Sequence, residues 1–134
     1  MIKLLTPFFV VFFVAGCASA DLLREAETPE QKYWAALQIF DVYDEAALHL
    51  VQDPNTPVTI KQGLKRARNV AKQALILADE AYNIMQAARM TLEQITDETN
   101  LDKFNAALQA FNSRSEQAFI KVDSFARSVD DFQE

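Results

Sequence analysis

The chain has 134 residues, half of them hydrophobic, with 13 basic and 19 acidic side chains and a formal net charge of −6. That length supports one domain of ordinary size, and the acidic balance disfavours nucleic acid and anionic lipid as general partners. One cysteine excludes an internal disulfide, and two glycines are too few for a phosphate-binding loop.

An apolar run from Leu4 to Ala15 follows Lys3 and ends at Gly16-Cys17. Roughly eleven apolar-rich residues behind one positive charge match a secretory signal and fall short of the ~20 needed to span a bilayer as a helix. Val14-Ala15-Gly16-Cys17 sets a branched apolar residue and two small residues directly before the cysteine. In this the segment resembles the lipobox of bacterial lipoproteins, over residues 1–17 only. The resemblance implies a diacylglyceryl thioether on the Cys17 sulfur, cleavage between Gly16 and Cys17, and acylation of the new amino terminus. It also implies an outer-membrane protein facing the periplasm, because Ala18 stands where members held at the inner membrane tend to carry aspartate. An ordinary signal peptide cut near Ala18-Ser19-Ala20 is the competing reading. The expected organisation is a signal peptide over 1–16, an acylated cysteine and tether over 17–28, and a helical domain over 29–134.

Beyond the signal Gly63 is the only glycine and alanine is abundant, the composition of a helical bundle. Thr28-Pro29-Glu30-Gln31 combines an N-cap threonine, proline at the first helical position and a capping-box glutamine. The seam of this first helix runs Tyr33, Ala36, Phe40, Tyr43, Ala47, Leu50 and stops at Asp53-Pro54. Thr56-Pro57 repeats the start signal. The second seam runs Ile60, Leu64, Ala67, Ala71, Ala74, Ala78, Ala81, Met85, Ala88, Leu92, in a helix of roughly 37 residues and about 55 Å.

After the polar break 96–100, a third seam runs Leu101, Phe104, Leu108, Phe111, Ser115, Ala118, Val122, Phe125, Val129, Phe132. Steps of three and four give the coiled-coil period, and short connectors make consecutive helices antiparallel neighbours. The predicted fold is an all-α, antiparallel three-helix bundle with long second and third helices. Small residues of the second seam face large ones of the third, except near Ala78, where Ala118 and Ser115 leave room that Tyr33 and Trp34 are expected to fill.

The second and third helices outrun the first. Their inner face there carries Met85, Leu92, Leu101, Phe104 and Leu108. Either Leu22, Leu23 and Ala26 continue the first helix backwards over these side chains, or they form an interaction surface. In both cases this end is expected on the same side as Cys17, close to the membrane.

Lys61, Lys65, Arg68 and Lys72 recur at steps of four, three and four and form a basic stripe. It reads as an anion site or as ion-pair partners for acidic residues of the neighbouring helices, Asp41, Asp44 and Glu45 on the first or Asp123, Asp130 and Asp131 on the third. His49 is the only histidine and has no companions at metal-ligand spacing. The serines have no candidate base, and adjacent carboxylate pairs diverge on a helix, so no catalytic, metal or cofactor site is expected. The function read from the sequence is a lipid-anchored structural or protein-interaction module, held by acylated Cys17 and engaging an envelope protein or a second copy. The alternatives are an inhibitor or exclusion lipoprotein, of phage or prophage origin among others, and a small-ligand-binding bundle.

Overall fold

The computed structural model describes residues 24–133, so the signal, Cys17, Leu22 and Leu23 lie outside the described residues. Three helices make up the bundle: α1 (Pro29–Gln52), α2 (Val58–Gln94) and α3 (Glu98–Gln133). No strand occurs among the described residues.

The start of α1 follows its sequence signal. The Gln31 N–H donates to Thr28 Oγ1 and the Thr28 N–H donates to Gln31 Oε1, each at 3.2 Å, which satisfies two otherwise orphaned donors. The α1–α2 turn is tied by the Asn55 N–H donating to Asp53 Oδ1 at 2.8 Å. α2 begins one residue later than Thr56-Pro57 predicts. Pro57 is itself the cap residue, and its carbonyl accepts from the Lys61 N–H at 3.1 Å, while no side chain caps this end. At the α2–α3 turn the Asp97 carboxylate accepts from the Asn100 N–H at 2.8 Å and opens α3.

Direction follows from the contacts between helices. Lys32 pairs with Glu116, Phe40 packs on Phe125 and Tyr43 donates to Asp130, so α1 and α3 run parallel. Tyr33 meets Tyr82 while Asp44 pairs with Arg68, so α2 runs against α1. Tyr82 also meets Phe111, and Arg89 lies over Phe104, which sets α2 against α3. This up-down-up order is the three-helix bundle expected from short connectors.

The core follows the three seams. Alanines 36, 71, 78 and 118 are buried in one cluster with Phe111, Val122, Phe125 and Val129. Ile39, Ala35, Ala107 and Ala126 are buried beside the seams, which makes the core broader than a strict two-position stripe. Ser115 is fully buried and its Oγ meets no hydrogen-bond partner among the described residues. A buried hydroxyl without a partner costs about 1–3 kcal/mol. Ser115→Ala is therefore expected to raise stability by about 1 kcal/mol in urea titrations, and a loss of that size would contradict this reading of the core.

Candidate functional site

At the N-terminal end of α1 four aromatic rings gather. Tyr33 is buried, stacked on Tyr82 at 5.3 Å and set edge-on to Phe111 at 5.6 Å, with its hydroxyl donating to Asp79 at 2.8 Å. It fills this level of the core as expected. Trp34 does not. It is 46% exposed, with its ring edge against Tyr33 and Tyr82. Neighbouring helical residues point about 100° apart, and with Tyr33 aimed into the core the larger Trp34 ring is left at its edge.

A polar network lies towards the other end of the bundle. Arg24 Nε donates to Asp123 at 2.6 Å and its Nη2 to Asp130 at 3.3 Å. Asp130 also accepts from Tyr43 at 2.9 Å, and Asp123 from Arg127 at 2.8 Å. Burial works against the Arg24 charge, but the hydrogen bonds to Asp123 and Asp130 and the attraction of Asp123 outweigh it and raise the pKa. The segment before α1 therefore comes up from the C-terminal half of α3 and reverses at Thr28-Pro29. At Arg24 it does not continue α1 backwards over the α2–α3 end.

Burial, then the bonds to Asp79 and Asp130, push the Tyr33 and Tyr43 phenols above their ordinary value of 10.0. A pKa raised by folding means the neutral phenol is favoured in the native state, so this stability is fully present below the unfolded pKa and is lost as pH rises beyond it. Urea titrations are expected to show unchanged stability from neutral pH up to about 10 and a steady decline above it, smaller in Tyr33→Phe. A decline of equal size in that variant would contradict the assignment.

The basic stripe is divided. Arg68 pairs with Asp44, including an Nη2 to Oδ2 contact at 3.2 Å, and lies 5.9 Å over the Phe40 ring. The hydrogen bond to Asp44 raises the Arg68 pKa. Lys65 and Lys72 are exposed and Lys61 is half-buried, and none of the three forms an ion pair within 4.0 Å among the described residues. Lys65 and Arg68 line one hollow between α1 and α2, and Lys61 and Lys72 do not join them. His49 is exposed near the end of α1.

The apolar surface of α2 and α3 differs from the one expected. Met85 is only 2% exposed and belongs to the core, because it follows Ala71 and Ala78 at a seven-residue interval on the same buried face. Leu92, Phe104 and Leu108 are half-buried, and Leu101 is 46% exposed. A second stripe lies one position over. Val70, Leu77 and Ile84 recur every seven residues along α2, are all exposed, and flank the alanines 74, 81 and 88. Val70, Ala74 and Leu77 form the apolar floor of a groove of about 440 Å³ against Arg114, Gln117 and Lys121 of α3. Beyond the end of α1, Met90, Ile95 and Leu101 are exposed near the α2–α3 turn. The heptad interval of Val70, Leu77 and Ile84 is the sequence signal that identifies this stripe.

Among the described residues no His, Cys, Asp and Glu side chains gather as a metal site, and no helix is long and apolar enough to cross a membrane. Fold and surface together define a three-helix bundle with an apolar stripe left open along its second helix. Comparison with protein-family models, curated proteins and solved structures finds no match.

Proposed function

We propose that this chain is a lipoprotein of the cell envelope, anchored through acylated Cys17 at the periplasmic face of the outer membrane, that acts by binding another protein chain and not by catalysis. The lipobox carries the anchor. The observation that carries the binding role is the stripe of Val70, Leu77 and Ile84, three large apolar side chains at a seven-residue interval that all stand exposed, Ile84 at 63%. A large apolar surface kept in contact with water costs about 25 cal/mol per Å², and such surfaces on monomers usually mark interaction sites. The seven-residue repeat fits a helical partner, since that spacing keeps a seam facing one neighbouring helix. Arg114 and Lys121 border it with positive charge and would meet acidic side chains.

A photoreactive residue at Ile84, activated in cells and followed by mass spectrometry of the membrane fraction, tests this. A discrete adduct to one protein or to a second copy is the expected result. Labelling at Ile84 no stronger than at exposed Ser113 of α3 would contradict the binding role.

A further inference from the structure

We infer that the α1–α2 turn is the membrane-facing end of the bundle and that the α2–α3 turn is held away from the bilayer. This rests on the Cys17 anchor proposed above and reverses the sequence expectation that the α2–α3 end sits close to the membrane.

The position of Arg24 carries the argument. Its side chain is 16% exposed and is held between Asp123 and Asp130, two turns apart on α3. Asp130 is also the acceptor for Tyr43, which lies in the half of α1 that leads to the α1–α2 turn. The anchored segment thus joins the bundle in that half. Seven residues connect Cys17 to Arg24, and a fully extended chain of that length spans at most about 25 Å.

The two ends of the bundle differ in their distance from this point. From Asp123 back to Glu98, the first residue of α3, is about 37 Å at 1.5 Å per residue. A bundle standing on its α2–α3 turn would therefore hold Arg24 farther from the bilayer than the tether can reach. In the other direction, the end of α1 lies only about 14 Å beyond Tyr43, well within that reach. The net charge of −6 opposes the remaining posture, with the bundle lying along an anionic lipid surface.

A functional consequence follows for the exposed side chains Met90, Ile95 and Leu101 near the α2–α3 turn. They are presented to the aqueous side of the anchor and meet protein, not lipid.

The test uses the full-length lipidated protein reconstituted in phosphatidylethanolamine–phosphatidylglycerol vesicles, with a fluorophore on Asn55→Cys or on Glu98→Cys and a nitroxide-headgroup lipid as quencher. Both positions are exposed turn-end residues, and in the acylated protein the Cys17 sulfur is blocked to the label. Quenching several-fold stronger at Asn55→Cys than at Glu98→Cys is the expected result. Co-flotation with equal quenching, or with stronger quenching at Glu98→Cys, overturns the orientation and leaves the anchor standing. Failure of the protein to float with vesicles overturns the anchor, and the orientation with it.

Discussion

Phe125→Ala is expected to lower the unfolding free energy by about 3–5 kcal/mol, the range for deleting a fully buried aromatic side chain. Phe125 has no exposed surface, and its ring lies 5.8 Å from Phe40 across the α1–α3 interface. Much of the surrounding core is alanine, including Ala36, Ala71, Ala118 and Ala126. Alanine has no side-chain rotamers with which to refill a void, so collapse around the lost ring is limited and the cavity cost stays high. The sequence holds a single cysteine, so no disulfide constrains the unfolded chain to offset the loss. Urea unfolding followed by circular dichroism measures the effect, with Ile120→Ala as an exposed control expected to change little. A loss below about 1 kcal/mol at Phe125 would show that the α3 seam is not the centre of the core.

Cys17→Ser is expected to shift the protein out of the membrane fraction, or to leave it as uncleaved precursor, with a loss of lipid partitioning of several orders of magnitude. One acyl chain gives only marginal membrane binding, whereas further chains add about 0.8 kcal/mol for each buried CH₂. Serine has no thiol to carry the diacylglyceryl group, so the step that precedes cleavage is blocked. The bundle begins at Pro29, and its thermal transition is expected to be the same in wild type and variant. Unchanged membrane retention together with an unchanged mature mass would remove the lipobox from the account.

Much of the fold is legible because its stabilising pattern is local. Thr28 and Gln31 form the capping box that their spacing announces, and the seams at steps of three and four mark the faces that become buried. Phe111, Val122, Phe125 and Val129 could each be assigned to the core from position alone. Trp34 shows the limit of that reasoning, since a large apolar side chain beside a seam is not thereby inside it.

The remaining features depend on contacts between distant parts of the chain. Arg24 and Asp130 are 106 positions apart, and no periodicity links an arginine before the first helix to carboxylates near the end of the third. Their pairing sets the direction from which the chain joins α1, and the proposed orientation at the membrane rests on it. The exposed stripe of Val70, Leu77 and Ile84 is written in the sequence at a seven-residue interval. It is masked there by the parallel series Ala71, Ala78 and Met85, one position over, which has the same period and is the one the core uses. Which of two adjacent heptad series faces inward is decided by where α1 and α3 pack. The basic stripe is split for the same reason: Arg68 faces α1 closely enough to pair with Asp44, and Lys72 does not.

The most direct test of the lipid-anchored reading is mass spectrometry of the N-terminal peptide of the protein purified from its own membranes. A mature chain beginning at Cys17, with a diacylglyceryl group on sulfur and an acyl group on the amino terminus, is the predicted result. A chain beginning after Ala20, or one that retains Met1 and a free Cys17 thiol, would contradict it.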